Sequence, residues 1–277
     1  MRVYWPADPS HQDRAYDAEN RIKFTFLTFR DFGPRDVATW RRMREAMIPN
    51  VAMLDGVASA NNFEPLMVGR TVDLLDAVAA SPGLLRVMGV THVVSDEAWP
   101  GGERVHASAA AATYRLPGAP GRVWLVPAAR EVNPGDALGV LADPAFDPAV
   151  EVLLEGARDP DACLQTPSGQ TPSFVSPTPI LRDTANRVTI RAVLTAPGYL
   201  VVADTWYPGW QASVDEEPVE LYRANHAFRA VWLDKGEHTV DMVYRPASVV
   251  VGGIVSLAAL GLAIVGLALA RREDAGS

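Results

Sequence analysis

Residues 247–270 read ASVVVGGIVSLAALGLAIVGLALA, and no charged residue lies between Arg245 and Arg271. As a helix, these 24 residues extend about 36 Å, enough to cross a hydrocarbon core of about 30 Å. A core helix of a soluble domain would show polar positions every third or fourth residue; here only Ser248 and Ser256 interrupt the apolar run. Gly252, Gly253, Gly261 and Gly266 would weaken a helix in water, whereas in a bilayer small residues allow close helix contact. The stretch predicts a membrane-spanning helix, and the rest of the chain is arranged around that anchor.

Arg271 and Arg272 follow the helix directly, while Arg245 precedes it across Pro246. The excess of one positive charge on the C-terminal side predicts a cytoplasmic tail at 271–277 and an extracytoplasmic soluble part. The N-terminal residues MRVYWPADPSHQDRAYDAEN carry neither a basic n-region nor an apolar h-region, so they do not read as a signal peptide. A large domain needs a signal or an earlier spanning helix to cross a membrane. The expectation is therefore the end of a longer membrane protein.

Composition narrows the functional classes. The 277 residues are 48% hydrophobic and 21% charged, enough for one or two ordinary cores. The net charge is −8 and no segment concentrates Lys or Arg, which argues against a nucleic-acid partner. Cys163 is the single cysteine, which excludes an internal disulfide and a thiol-rich metal site. The five histidines (His11, His92, His106, His226, His238) lack ligand spacing. Neither a metal nor a cofactor is expected.

In chain order, 1–20 is polar and irregular, a lead-in. A domain over 21–155 follows in which strand and helix signals alternate. Residues 21–29 (RIKFTFLTF) read as a strand, 36–47 as a helix ended by Pro49, and 50–54 as a short apolar run. Residues 64–79 read as a helix with Leu66, Leu74, Leu75 and Val78 inward. Residues 82–88 form a short helix capped by Gly89, and 90–95 a strand. Such alternation suggests a small α/β layer. Farther on, 113–116 and 122–126 look like a strand pair around Pro117–Gly121, 136–142 like a short helix, and 150–154 like a strand. Residues 156–186, rich in Pro, Ser, Thr and Asp, read as a linker or long loop.

Between 187 and 246 the rhythm changes. Short β-patterned runs at 188–195, 199–204, 210–214, 219–222, 227–233 and 239–244 are separated by turn residues such as Pro197-Gly198, Pro208-Gly209 and Lys235-Gly236. Closely spaced strands of this kind are the sign of an antiparallel sandwich. The expected fold class is thus α+β: a small α/β N-terminal layer, a C-terminal antiparallel β-sandwich and one C-terminal transmembrane helix.

Two groups of residues are candidate binding sites. Trp206, Tyr207 and Trp210 crowd one turn, where aromatic faces can stack on a sugar, lie at the lipid headgroup level or simply pack the sandwich. Asn61, Asn62 and Glu64 form a polar loop before a helix, able to hydrogen-bond sugar hydroxyls; capping by Asn62 is the simpler account. Acidic pairs (Asp73 with Asp76, Asp143 with Asp147, Glu216 with Glu217) read as solvated carboxylates, since nothing in their spacing makes the pocket that acid–base catalysis requires. Neither a nucleophile elbow nor a Gly-rich phosphate loop is present.

The runs Ala203-Asp204-Thr205-Trp206-Tyr207-Pro208-Gly209-Trp210, Tyr222-Arg223-Ala224-Asn225-His226-Ala227-Phe228-Arg229, Gly236-Glu237-His238-Thr239-Val240 and Tyr244-Arg245-Pro246, with the spanning helix after them, resemble the C-terminal end of the YfhO family of bacterial membrane proteins. Upstream, Asp55-Gly56, Asn61-Asn62-Phe63-Glu64-Pro65-Leu66 and Leu84-Leu85-Arg86-Val87-Met88-Gly89-Val90 are similar to the same family. Glu216-Glu217 departs from it where an Asp-Gly turn is usual, which predicts a different hairpin turn. The resemblance implies a multi-spanning protein related to the C-type glycosyltransferases, using a polyprenyl-phosphate-linked sugar on the outer face of the membrane. The catalytic acid of that superfamily lies in an early loop that has no counterpart here, so no catalytic residue is carried over. The implied role of this portion is accessory, its partners the lipid bilayer and a lipid-linked sugar or surface glycan. The alternatives are a stand-alone membrane-anchored carbohydrate-binding or cell-surface interaction module, and a tail-anchored cytoplasmic protein.

Overall fold

Val3 and Tyr4 are almost wholly buried, and the short run around them, Arg2–Tyr4, forms strand β1 in the interior of a sheet. The computed structural model describes residues 1–4, 56–61, 68–95, 97–108, 111–156 and 178–274. The expected strand at 21–29, the helix at 36–47, the run at 50–54, the first part of the helix at 64–79, most of the 156–186 segment, and the candidates Asn62 and Glu64 lie outside the described residues. The lead-in expected over 1–20 is corrected at its start. A strand of three residues is too short to show a period, and only its neighbours in the sheet reveal it.

The chain divides into two compact units. Unit 1 comprises Met1–Thr178, Val193–Trp206 and Tyr222–Glu237; unit 2 comprises Pro179–Ala192, Tyr207–Leu221 and His238–Ser277. In unit 1, β1 runs parallel to β2 (Ala58–Ser59) and to β3 (His92–Ser95). Antiparallel β5 (Ala112–Arg115) and β4 (Glu103–Ala107) complete a sheet of order β2-β1-β3-β5-β4. Helix α1 (Gly69–Val78) buries Leu74 and Val78, as its spacing predicts, and α2 (Leu84–Val87) buries three of its four residues. The chain leaves α2 through Gly89, whose φ of +66° is the left-handed conformation that ends many helices.

The other sheet of unit 1 has the order β6-β11-β15-β14-β8-β7. Its strands are β6 (Val123–Val126), β7 (Ala128–Glu131), β8 (Glu151–Glu155), β11 (Gly198–Val202), β14 (Tyr222–Ala224) and β15 (Phe228–Leu233), with α3 (Ala137–Ala142) between β7 and β8. All pairs are antiparallel except β7 with β8. Trp124, Leu153, Tyr199, Phe228 and Ala230 belong to one apolar cluster with Leu74, Leu85 and Val93 of the helices and the first sheet. The expected pairing of 113–116 with 122–126 is corrected here: β5 pairs with β3 and β4, whereas β6 pairs with β11. Pro117–Gly121 has the composition of a hairpin turn, yet it carries the chain from one sheet to the other, with Gly118 and Gly121 both at positive φ.

Unit 2 is built on the sheet β13-β12-β16-β10-β9. Its strands are β9 (Ile180–Thr184), β10 (Arg187–Leu194), β12 (Trp210–Val214), β13 (Glu217–Val219) and β16 (Gly236–Tyr244). Val188, Ile190 and Ala192 alternate with Arg187, Thr189 and Arg191 along β10, a buried face against an open one. The run 219–222, expected as one strand, is divided: β13 pairs with β12, and β14 pairs with β15 and β8. The turn Asp215-Glu216 keeps positive φ at both central residues (51° and 74°), so the conformation of a primed hairpin survives without glycine. The expected change of turn type is thereby corrected. Asp215 holds the turn, its carboxylate accepting the Thr239 backbone N–H at 2.8 Å and lying 2.7 Å from His238 Nδ1.

The fold is α+β with sandwich-like antiparallel sheets over 180–244, followed by α4 (Ala247–Asp274). In α4, Ala247–Ile264 is long and apolar enough to cross a membrane, and none of it is buried inside the protein. An apolar helix with Val249, Ile254, Leu257 and Leu262 all exposed belongs in lipid or against other helices, not in water.

Candidate functional site

The densest polar constellation of unit 1 gathers on Glu155, the last residue of β8, whose side chain is only 3% exposed. Arg70, in the first turn of α1, donates from Nη1 to both carboxylate oxygens at 2.6 and 2.8 Å, and to the His226 carbonyl at 2.9 Å. Arg223 of β14 approaches the same carboxylate at 3.4 Å. Its guanidinium carbon lies 4.0 Å from the centroid of the Trp206 ring, a cation–π contact worth about 0.5–2 kcal/mol. The Thr71 and Thr205 hydroxyls face each other at 3.4 Å.

The turn from β14 to β15 brings His226 into this group. Asn225 and His226 both adopt positive φ (45° and 70°), a conformation tolerated by Asn but strained for His. Asn225 is wholly buried and ties the turn to β8, donating its backbone N–H to the Leu153 carbonyl at 2.8 Å and accepting the Leu153 N–H on Oδ1 at 2.9 Å. The His226 ring is thereby set between Arg70, 3.5 Å from Nδ1, and Asp73, 3.3 Å from Nε2. Arg223 Nε and Asn225 Nδ2 are buried with no hydrogen-bond partner among the described residues.

A second ionic centre surrounds Asp204. Arg122 grips both carboxylate oxygens at 2.8 Å, and Arg229, 2% exposed, reaches Oδ2 at 3.1 Å. Arg2 donates to the main-chain carbonyls of Met88 and Ala203 beside it. Burial pushes the Asp204 carboxyl up, but the Arg122 hydrogen bonds and the charges of Arg122, Arg229 and Arg2 hold it below its ordinary value. Burial likewise depresses the Arg2 guanidinium, with the Asp204 charge working against it.

Both carboxylates have their oxygens engaged by guanidiniums, which suits positioning and charge presentation. The exposed members are Asp73, about half exposed, and Arg70 and Arg223, each a little under a third exposed. Replacing Glu155 by Gln removes the charge that both arginines share. Because those arginines can turn to solvent, the expected loss is about 2 kcal/mol of stability, read in urea unfolding of the detergent-solubilised chain.

Of the residues singled out from the sequence, Trp206 lies in unit 1 under Arg223, with its backbone N–H donating to the Ala227 carbonyl at 2.7 Å. Tyr207 and Trp210 lie in unit 2, where both rings approach Tyr244, at centroid distances of 6.5 and 5.4 Å; Tyr207 is 50% exposed. Asn61 is half-buried and accepts the Ser59 hydroxyl at 3.2 Å. Arg70 and Glu155 were not singled out; Asp73 was read as a solvated carboxylate, His226 as a histidine without ligand spacing, and Arg223 stood only within the run that carries the family resemblance. The one local signal for them was Asn225-His226, a turn lacking the glycine that its backbone favours. Among the described residues, no group of three or more His, Cys, Asp or Glu side chains is placed to hold a metal ion.

The C-terminal strands and the first turns of α4 supply the comparison with known proteins. Residues 179–256 match the family model of bacterial membrane protein YfhO. This segment is YfhO-like. The match covers all of β9 to β16 and runs into the apolar helix, so the resemblance drawn from Trp206-Tyr207-Pro208-Gly209 and Tyr244-Arg245-Pro246 is borne out. A membrane-protein family and a helix of spanning length agree on a membrane location. No curated protein and no solved structure matches the chain.

Proposed function

We propose that the chain is the extracytoplasmic C-terminal region, with a membrane helix, of a YfhO-like protein that transfers sugar from a polyprenyl-phosphate carrier in the cell envelope. In this reading the portion is accessory: it holds acceptor or donor near a membrane bundle and does not perform the transfer. The observation that carries the proposal is the family match running unbroken from the unit 2 sheet into α4. The closed ion pairs around Glu155 and Asp204 favour positioning over proton transfer. The excess of Arg271 and Arg272 over Arg245 favours a cytoplasmic tail. Tyr207 in unit 2 and the Trp206–Arg223 pair in unit 1 are each proposed as a separate sugar contact, by their aromatic faces.

Orientation is tested by impermeant-maleimide labelling of intact cells in a Cys163→Ser background. Lys235→Cys, in the exposed turn before β16, is expected to label and Arg272→Cys to stay protected; the reverse pattern would sink the extracytoplasmic reading. The sugar role is tested by envelope glycan analysis in cells lacking the gene. Loss of a sugar modification, restored by wild type and restored less well by Tyr207→Ala, is the expected result. An unchanged glycan profile on deletion would remove the transferase reading.

A further inference from the structure

The outer face of the unit 2 sheet carries a groove of about 610 Å³ that the sugar reading does not use. Register pairs Gln211 with Val243 and Ser213 with Asp241 across β12 and β16, and Arg245 also lines the groove, two residues beyond Val243. Asp241 is already engaged, accepting from Arg187 Nε and from the Thr189 hydroxyl, both at 2.8 Å. Gln211, Ser213 and Arg245 have no side-chain partner among the described residues. Among the lining residues Arg245 is the one cation, at one end of the groove, with Asp241 engaged by Arg187 and in the field of Arg182 and with uncharged hydrogen-bonding groups between.

Its depth relative to a bilayer follows from the chain itself. The apolar run of α4 begins at Ala247 and is long enough to cross a hydrocarbon core of about 30 Å, so its N-terminal end lies at a membrane interface when the helix spans. Arg245 precedes it by two residues, about 7 Å of extended chain, which matches a headgroup layer of about 5–8 Å on each side. There is no slack at this junction. The Arg245 backbone N–H donates to the Gly209 carbonyl at 2.7 Å, and a Cβ on Gly209 would lie 2.9 Å from Pro246. With α4 spanning the membrane, the Arg245 end of the groove sits at phosphate level.

We propose that this groove holds the headgroup of an anionic, hydroxyl-bearing phospholipid of the surrounding bilayer, its phosphate on Arg245 and its hydroxyls on Gln211 and Ser213. The site depends only on α4 crossing the membrane, and so stands or falls apart from the sugar-transfer reading.

The test is native mass spectrometry of the full chain in mild detergent, offered phosphatidylglycerol, phosphatidic acid and phosphatidylcholine in equal amounts. Phosphatidylglycerol is expected to dominate the bound lipid. Arg245→Gln should lower it about fivefold and Arg245→Lys should largely keep it, as befits loss or retention of one surface cation. Gln211→Ala with Ser213→Ala should erase the preference for phosphatidylglycerol over phosphatidic acid, which lacks headgroup hydroxyls. An Arg271→Gln, Arg272→Gln variant controls for the other end of the helix and is expected to keep that preference. Equal binding of phosphatidylcholine, full binding by Arg245→Gln, or loss confined to the Arg271 and Arg272 variant would each overturn the assignment. Unchanged thermal melting of the groove variants checks the fold, and is expected because their side chains make no hydrogen bond or ion pair among the described residues.

Discussion

Asp204→Asn is expected to destabilise the protein by about 3–5 kcal/mol, the usual cost of removing one partner from a buried ion pair. The substitution keeps the shape and removes the charge between Arg122 and Arg229, with Arg2 adding its field from alongside. Only 18% of the Asp204 side chain is exposed, so water replaces little of what is lost. The melting temperature should fall by about 10 °C in a thermal scan of the detergent-solubilised chain. The pH dependence supplies an independent check. Because the folded-state value of Asp204 lies below its unfolded one, its contribution is complete above the ordinary carboxylate range and is lost as pH falls through the folded value. The wild type should therefore lose stability on acidification more steeply than the Asn variant, and parallel acid-unfolding curves would refute the assignment.

Gly89→Ala is the second large effect. The residue has φ +66°, and a Cβ there would stand 2.2 Å from the Gly121 carbonyl oxygen and 2.8 Å from its carbon. Left-handed backbone costs an alanine about 1–2 kcal/mol. The steric conflict is with main chain, which cannot swing aside as a side chain would, so a total above about 3 kcal/mol is expected. Gly101→Ala is the matched control: its φ is +74°, yet nothing lies within 4 Å of the added Cβ. It should lose only the conformational part. Equal losses in the two variants, measured by urea unfolding, would mean that the approach of Gly121 costs nothing.

The parts of the fold legible in the sequence are those with a local period. Residues 188–194 alternate strictly because one face of β10 is buried, whereas the apolar run from 247 has no polar face although none of it is buried inside the protein. The short helices at 84–87 and 137–142 were legible from their flanking Pro and Gly residues and Asp136. Strand partnership was not. Pro117–Gly121 carries the composition of a hairpin turn, and composition cannot tell a turn within a sheet from a passage between two. Nor could β4 be found, since all five of its residues are exposed and leave no apolar trace.

Of the candidate site in unit 1, Trp206 was the residue legible in the sequence. Trp206, Tyr207 and Trp210 announce themselves by clustering, but Arg70 meets Glu155 across 85 positions and Arg122 meets Asp204 across 82. Locally each of these charges has the pattern of a solvated face; burial, which makes the pairing matter, is a property of the assembled sheets. Asp73 illustrates the limit. It is about half exposed, as expected for an acidic residue on a helix surface, and still holds the His226 ring at 3.3 Å.

The junction at Gly209 and Pro246 bears on how force would travel through unit 2. A spanning helix joined to its soluble part by a loose tether can tilt or rotate in the bilayer without disturbing what it carries. Here β16 ends at Tyr244, α4 begins at Ala247, and the two residues between them are pinned to the Tyr207–Trp210 turn by a hydrogen bond and by backbone packing. Helix and sheet are geared together. A change in bilayer thickness that alters the tilt of α4 would therefore register as a rotation of the sheet, making the aromatic turn the point where membrane mechanics reach the solvent-exposed surface.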